Sequence, residues 1–328
     1  MEPLRVGLVG AGWIARDHVA ALGRAGGAEL VAVCDLDAER ARTLAPEARV
    51  HVAWQQLLEA DELDAVWVCT PPLAHREPAV AALERGLSVF LEKPIARSPE
   101  DAAAIVAAGE TSGAVCAIGY QWHATEVLAD LCREVEGQEV GLVVGRSIGP
   151  TVSRPWFLDR AQGGGNVLER ASHHIDLQRA VAGDVESVRA AASGVLLAQG
   201  AAGEPRGDIE DAAALLLRFA GGGIGTIEVA WTRDGLPSIY TLDVVATEAT
   251  LHLSLDPDFA LSGRSRGEEI AAESTTHPFD RQVERFLEAV RRRDPELVFC
   301  RPADAAATLA VAVALEESLS SGEEVRVG

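Results

Sequence analysis

The first 35 residues contain the pattern that most restricts the fold of this chain. An apolar run from Arg5 to Gly10 ends in the turn Gly10-Ala11-Gly12-Trp13-Ile14-Ala15, and a helical stretch follows as far as Arg24. A second apolar run, Glu29 to Cys34, ends at Asp35. This order of strand, glycine-rich turn, helix, strand and acidic residue predicts the opening unit of a doubly wound parallel sheet.

The glycine-rich turn has the composition needed to hold a dinucleotide. Gly10 permits a tight turn, and Gly12 lets backbone N–H groups approach a pyrophosphate. Asp35 lies 23 residues after Gly12, where a carboxylate would hold the ribose hydroxyls of an adenosine. We therefore expect Gly10, Gly12, Trp13, Ile14 and Asp35 to contact the cofactor. The alternative is a structural turn followed by an acidic cap on the next helix.

Asp35 also bears on which dinucleotide binds. Its carboxylate would repel the 2′-phosphate of NADP, and Leu36 places no arginine directly after it. Arg40 is a nearby cation that could bind such a phosphate. We expect the cofactor to be NAD, with NADP less favoured.

Strands and helices continue to alternate as far as residue 120. The predicted strands are Asp64 to Cys69, Ser88 to Leu91 and Val115 to Gly119, and the predicted helices are Ala74 to Arg85 and Pro99 to Gly109. Alternation at these lengths is typical of a Rossmann-type parallel sheet with helices on both faces. We expect residues 1–120 to form a dinucleotide-binding domain.

Lys93 is the only lysine in the chain, and it directly follows an apolar strand-like run. Loops at the carboxyl ends of parallel strands are where α/β sheets place ligands. An ammonium group can exchange a proton when partly desolvated, which a guanidinium does not do near neutral pH. Lys93 is therefore the first candidate for chemistry; the alternative is an ordinary surface lysine.

Other candidates occupy the same kind of position. Thr70 and Pro71 follow one predicted strand, and Glu92 follows another. We expect these residues, together with Lys93 and His75, to face the cofactor. For His75 a solvent-exposed place at the start of a helix is an equal alternative.

The pattern changes in residues 121–328. Strand-like runs follow one another there without intervening helices, which predicts a mostly antiparallel, open sheet; they are Ser187 to Gly194, Ile209 to Phe219, Gly223 to Trp231, Ile239 to Ala246 and Thr250 to Leu255. Gly200 to Asp208 and Ser262 to Glu269 are predicted as polar connections. The fold class is therefore α/β, with a substrate-binding and oligomerisation domain at residues 121–328.

A helix predicted from Asn166 to Ala182 follows a triple glycine and carries Glu169, His173 and Asp176. Spacings of four and three residues place these side chains on one face of an α-helix. A carboxylate one turn from an imidazole can orient it and raise its basicity, as in a general base. The alternatives are a surface ion pair, or two ligands of a metal for which no third ligand is evident.

Composition excludes several classes of protein. A net charge of -21 argues against a nucleic-acid partner. No apolar run approaches the ~20 residues that a transmembrane helix needs, and no secretory signal pattern precedes the first strand. Five cysteines without paired spacing are typical of a reducing compartment. We expect a cytoplasmic protein without a membrane partner or a metal.

Five motifs in this order resemble the Gfo/Idh/MocA family of nicotinamide-dependent oxidoreductases: GAGWIA, CTPP, EKPI, GGGNVLERASHHID and FDRQVERFLEAV. The resemblance implies a Rossmann domain and a C-terminal α/β domain whose open sheet mediates dimers or tetramers. It also implies that Lys93, Glu169 and His173 handle a substrate hydroxyl.

The chain departs from the family pattern at several positions. Glu169 replaces the usual Asp, and Ala171 replaces a Gly two residues later. His123 stands where an arginine is common and, with Gln121 and Asp176, is a candidate substrate contact. We expect further specificity residues between Arg154 and Gln162.

The resemblance leads to an expected function. It is an NAD-dependent oxidation of a secondary hydroxyl in a sugar, cyclitol or related polyol, or the reverse reduction of the ketone. Two alternatives are an NAD-binding sensor or regulator without turnover, and an enzyme that uses NAD to cleave glycosides.

Overall fold

A computed structural model of the chain describes residues 2–60, 62–150, 156–196, 209–233 and 235–328. Two predicted segments reach beyond these ranges. Arg154 and Pro155 of the specificity segment, and the connection from Gly200 to Asp208, lie outside the described residues.

The helices and strands have the following bounds. The α-helices are α1 Trp13–Ala25, α2 Ala38–Leu44, α3 Trp54–Ala60, α4 Arg76–Glu84, α5 Pro99–Ser112, α6 Glu126–Val135, α7 Arg160–Gly163, α8 Ser172–Ala182, α9 Pro278–Arg292 and α10 Pro302–Ser321. The strands are β1 Leu4–Val9, β2 Ala28–Cys34, β3 Arg49–His51, β4 Ala65–Val68, β5 Ser88–Leu91, β6 Cys116–Ile118, β7 Val140–Pro150, β8 Val185–Ser193, β9 Ala212–Phe219, β10 Ile224–Thr232, β11 Ile239–Ala246, β12 Ala249–Ser254, β13 Ala260–Ser265, β14 Glu268–Glu273 and β15 Val325–Arg326.

The chain divides into two compact units. The first contains Met1–Ala124 and His277–Ala306, and the second contains Thr125–Thr276 and Ala307–Gly328. The sequence predicted a single boundary after residue 120. The observed division differs, because the late segment His277–Ala306 belongs to the first unit.

The first unit contains a six-stranded sheet with the order β3-β2-β1-β4-β5-β6. All five neighbouring pairs are parallel. The central strands β4 and β5 are buried along their whole length, as expected when helices cover both faces. The predicted doubly wound sheet is confirmed.

Helix α9 supplies part of the core of the first unit. Trp67 of β4 stacks on Phe90 of β5 at a centroid distance of 5.2 Å. Phe286 of α9 meets both rings edge-on, at 4.8 and 5.6 Å. Such aromatic pairs contribute beyond their buried area, so the N-terminal sheet depends on residues near the end of the chain.

The second unit contains a nine-stranded sheet with the order β14-β13-β12-β11-β7-β10-β9-β8-β15. Only β7 and β10 pair in parallel; their other neighbours are antiparallel. Helix α8 packs on β7 through small residues: a Cβ added at Gly145 would lie 2.6 Å from Nδ1 of His174. The predicted mostly antiparallel sheet is confirmed.

One predicted connection is wrong. Ser262 to Glu269 does not form an irregular connection, because it contributes to the hairpin of β13 and β14. The turn contains Arg266 at φ 50° and Gly267 at φ 84°, and two positive φ values match the twist of an antiparallel hairpin. The polar side chains of an exposed edge concealed these strands from sequence analysis.

Among the residues that the structure describes, no helix covers one face of the second sheet. Alternate residues of β7 point to this face, among them Arg146, whose guanidinium contacts Glu228 of β10 at 3.1 Å and Asp243 of β11 at 3.3 Å. His252 of β12 continues this charged row, with Nδ1 2.7 Å from Asp243. Ile224, at 38% exposure, and Val245, at 41%, are exposed apolar side chains of β10 and β11.

Within the described ranges, none of the helices has the length and apolar character needed to cross a bilayer.

Candidate cofactor and active-site residues

Gly10 ends β1 in a conformation that favours glycine. Its φ is +95°, and a Cβ built on it would lie 2.7 Å from the carbonyl oxygen of Cys69. The backbone of the turn therefore passes directly against the end of β4. A side chain at residue 10 would push these two loops apart.

Gly12 leaves the start of α1 open. No side chain caps this helix, and no acidic residue lies in its first turn. A Cβ built on Gly12 would meet nothing within 4 Å. The unsatisfied N–H groups of a helix start attract anions. The adjacent Trp13 is exposed and Ile14 is half-buried.

Asp35 joins the end of β2 to the glycine-rich turn. One carboxylate oxygen accepts a hydrogen bond from the Ala11 N–H at 2.7 Å, and the other accepts one from the Asp37 N–H at 2.8 Å. Arg40 lies 3.4 Å from the same carboxylate. An open helix start beside a fixed carboxylate fits the pyrophosphate and ribose of a dinucleotide.

His75 does not occupy the solvent-exposed helix start that was the alternative to a cofactor contact. The ring is fully buried. Its Nε2 lies 2.7 Å from the carbonyl oxygen of Thr70, and its Nδ1 lies 3.0 Å from that of Pro94. Burial lowers the pKa of this histidine. His75 thus connects the loop after β4, which contains Thr70 and Pro71, to the loop after β5.

Glu92 supports the backbone of Lys93. Its side chain is buried, and one oxygen lies 2.6 Å from Nε2 of His18 in α1. The other oxygen accepts the Lys93 N–H at 3.1 Å. The cofactor contact of Glu92 stays a prediction. His18 was missed because it is 74 residues from Glu92 in the sequence.

Lys93 itself is half-buried, and its peptide bond to Pro94 is cis. X-Pro bonds tolerate this isomer more readily than other peptide bonds. Gln121 and His123, the candidate substrate contacts of the first unit, are half-buried on a short 3-10 helix.

The helix after the triple glycine is not continuous. Val167–Ala171 forms a π-helical turn, and α8 begins only at Ser172. A π-turn has i→i+5 hydrogen bonds, so α-helical spacing does not place Glu169 and His173 on one face. The predicted α-helix over these residues is therefore wrong. Glu169 and His173 are half-buried, whereas Asp176 is buried in α8.

Glu210 anchors the start of the π-turn. One of its carboxylate oxygens accepts the backbone N–H of Val167 at 3.0 Å, and the other pairs with Arg160. The Glu210 side chain is only 5% exposed. A buried charge of this kind is stable only when it is paired and hydrogen-bonded.

His174 is a core residue of the second unit. Its ring is fully buried, and Nε2 lies 2.9 Å from the carbonyl oxygen of Arg146. Burial is the main cause that lowers its pKa, to about 4, and the positive charge of Arg170 acts in the same direction. The ring is therefore neutral near pH 7.

Arg170 was not singled out by sequence analysis. Its guanidinium donates to the Ser147 hydroxyl at 3.0 Å, the Gly149 carbonyl at 3.4 Å and the Tyr240 hydroxyl at 2.7 Å. It also stacks over the ring of Trp231 at 4.4 Å. One feature of the sequence could have indicated its importance, namely that this arginine lies within a segment whose neighbouring residues are mostly buried.

The described part of the chain contains no group of three histidine, cysteine, aspartate or glutamate side chains placed to hold a metal ion.

Two family models match the chain. Residues 4–120 match the oxidoreductase family with an NAD-binding Rossmann fold, and residues 136–252 match the GFO/IDH/MocA C-terminal domain. The similar proteins include a levoglucosan dehydrogenase of Pseudarthrobacter phenanthrenivorans, 26% identical over 76% of this chain and 73% of the relative. Another is a 1,5-anhydro-D-fructose reductase of Ensifer adhaerens, 31% identical over 70% of this chain and 69% of the relative.

Among solved structures, a levoglucosan dehydrogenase in complex with NADH and L-sorbose superposes with a TM-score of 0.82. The match covers 100% of both chains at 19% sequence identity, and at that identity it supports the fold alone. Both domain models and the Ensifer relative agree with the motifs and with the two sheets. The chain therefore belongs to the Gfo/Idh/MocA family of oxidoreductases, with an NAD-binding Rossmann domain.

Proposed function

We propose that this oxidoreductase transfers a hydride between NAD and the carbon of a secondary hydroxyl, or its ketone, in a sugar, cyclitol or related polyol. The observation that carries the proposal is the position of Lys93, the only lysine. It is half-buried on a turn whose backbone is held by Glu92 and His75. The names of the similar proteins support the substrate class, since two of them act on anhydro sugars.

The first unit would hold the cofactor, which supplies the hydride acceptor when bound. Backbone N–H groups of Gly12, Trp13 and Ile14 would bind the pyrophosphate at the open start of α1. Asp35 would accept hydrogen bonds from the ribose hydroxyls with the lone pairs that its backbone contacts leave free. Its charge would oppose a 2′-phosphate, so NAD is the preferred cofactor.

Three side chains would handle the substrate oxygen. His173 would take the hydroxyl proton as the hydride leaves carbon. Lys93 would hydrogen-bond the same oxygen and stabilise its developing negative charge. Glu169 would favour the protonated imidazole through its own negative charge. The products are the ketone, the reduced cofactor and one proton.

The test uses the single lysine directly. An amine-selective acetylating reagent can modify only Lys93 and the terminal amine, and peptide mapping separates these two sites. We expect turnover to fall in proportion to the acetylation of Lys93. Adding NADH together with a product analogue should slow both the acetylation and the loss of turnover. In the Lys93→Arg variant only the terminal amine can be acetylated. This variant should lack turnover before treatment, and its binding of NADH serves as the control for modification of the terminal amine.

The assay follows NADH formation over a panel of polyols, cyclitols and anhydro sugars. His173→Ala should lower kcat by about 10²–10⁴-fold, with a smaller loss at high pH where hydroxide can accept the proton. Full activity of Lys93→Arg on a substrate of the native enzyme would overturn the assignment. A chain that binds NADH and turns over nothing would support a sensor, and NAD-dependent release of sugar from a chromogenic glycoside would support glycoside cleavage.

We also propose that the chain forms dimers or tetramers through the helix-free face of the second sheet. The support is the exposed apolar side chains Ile224 and Val245 beside the charged row of Arg146. Covering such a face with a second copy would remove apolar area from water.

A cytoplasmic location is proposed on the basis of five free cysteines.

A further inference from the structure

Arg170 is a half-buried cation whose hydrogen-bond acceptors are all neutral groups. Its three hydrogen-bond acceptors are two hydroxyls, of Ser147 and Tyr240, and the carbonyl of Gly149. One face of the guanidinium stacks on Trp231. Burial lowers the pKa of this arginine, although its interactions with Tyr240 and Glu169 oppose the shift. The environment orients the group without neutralising it.

The charge of Arg170 is not matched by an ion pair. Within the described ranges, its guanidinium makes no salt bridge to a carboxylate. By contrast, Arg160 in the same unit pairs with Glu210. A guanidinium has five N–H donors, and three of these are used in its contacts. Two donors therefore remain for a further acceptor, and a partly buried cation without a counter-ion loses part of its hydration without a compensating partner.

A second polar group at the same turn also lacks partners. Asn166 directly precedes the π-turn and is fully buried. Neither its amide nitrogen nor its carbonyl oxygen has a hydrogen-bond partner in the described part of the chain, and the same holds for the indole nitrogen of Trp231. Buried amides are normally satisfied. Groups of this kind are normally completed by an ordered water or a bound polar molecule.

The charges favour one kind of acceptor. A carboxylate matches the planar fork of a guanidinium and can bind it through two hydrogen bonds. A phosphate dianion would need more positive charge than one arginine supplies. The neighbouring His174 is neutral near pH 7, and Glu169 adds negative charge nearby. The site therefore suits a monoanion.

We propose that Arg170 binds the carboxylate of a polyhydroxy acid, so that the substrate of the redox reaction is an acidic sugar derivative and not a neutral polyol. This inference rests on the proposed function for the hydride transfer. The carboxylate would stay unchanged in the reaction. A hydride leaves a secondary carbon for NAD and the hydroxyl proton goes to His173, as for a neutral alcohol.

The experiment compares acids with neutral partners of the same carbon skeleton. NAD-dependent rates are measured for D-gluconate against D-glucitol and for D-galacturonate against D-galactose. We expect a higher kcat/KM for the acid in at least one pair. Arg170→Met should reduce that value about tenfold or more, because a charge-assisted pair is lost, and should change the neutral partner less than threefold.

Two variants separate recognition from folding. Arg170→Lys keeps the charge but loses the planar fork, so it should retain part of the preference for the acid. Tyr240→Phe removes one acceptor of Arg170 without removing charge, and should leave the preference for the acid intact. Melting temperature and NADH affinity are measured for each variant. If Arg170→Met does not fold, the preference for the acid is compared between Arg170→Lys and the native chain. A reduced preference in Arg170→Lys would then support the role of Arg170, and an unchanged preference would contradict it.

The outcomes distinguish this inference from the proposed function. Turnover of neutral polyols with no acid preferred in any pair would overturn the acid-binding role and leave the hydride transfer standing. Equal losses for acids and neutral compounds in Arg170→Met would also overturn it, because they indicate a structural role. Binding of D-gluconate to the NADH complex that depends on Arg170, without turnover, would support the site and contradict the proposed reaction.

Discussion

Protonation of His174 should destabilise the second unit in mild acid. The pKa of its fully buried ring is about 4, against 6.5 for an ordinary histidine. The unfolded chain therefore binds a proton more readily than the folded one between these two values. Stability from this residue is fully present above pH 6.5 and is lost as the pH falls towards 4.

The size of the effect follows from the two pKa values. Linkage gives a loss of about 2 kcal/mol in the free energy of unfolding between pH 7.5 and pH 5.0. His75 adds to the loss in the same direction, since burial lowers its pKa as well. The contribution of His174 is therefore best isolated as a difference between two variants.

His174→Gln removes the titrating group and keeps an N–H donor for the carbonyl of Arg146. Urea unfolding at pH 7.5 and 5.0 should show a pH-dependent loss that is smaller by about 2 kcal/mol in this variant than in the native chain. His252→Gln is the matched control, because it removes an exposed histidine of the same unit. An unchanged pH dependence in His174→Gln would refute the reasoning.

The remaining predictions concern the cofactor turn and the open sheet face. Asp35→Ser should weaken NAD binding and free Arg40 for a 2′-phosphate, so fluorescence titration should show a lower ratio of NAD to NADP affinity; tighter NADP binding by the native chain would contradict the role of Asp35. Gly10→Ala should reduce NADH affinity about tenfold or more while the melting temperature falls only modestly, because the new Cβ would meet the end of β4 at 2.7 Å. Val245→Arg should lower the mass measured by light scattering, whereas a native chain that is already a monomer at micromolar concentration would count against the proposed interface.

Sequence analysis succeeded where structure depends on local patterns. The turn at Gly10 and the carboxylate of Asp35 each depend on a few neighbouring residues. The pair of His18 and Glu92 could not be predicted, because its members meet only when β5 and α1 pack together.

The π-turn at Val167–Ala171 was missed for a different reason. One extra residue in the turn leaves the apolar pattern nearly intact, so the sequence suggested a uniform α-helix. The stabilising contact comes from Glu210, which is 43 residues from Val167. Arg170 was overlooked because its partners on β7 and β11 are distant in sequence.

The return of α9 to the first unit affects how the protein is made in the cell. A ribosome that has released Met1–Ala124 has delivered all six parallel strands but not Phe286, which packs against Trp67 and Phe90. Those two rings lack their contact with Phe286 until His277–Ala306 emerge. The N-terminal unit is therefore completed late in translation, after the whole nine-stranded sheet except its last edge strand β15 has been synthesised. Chaperone demand should be concentrated in that interval, when an aromatic surface of the nascent chain is accessible.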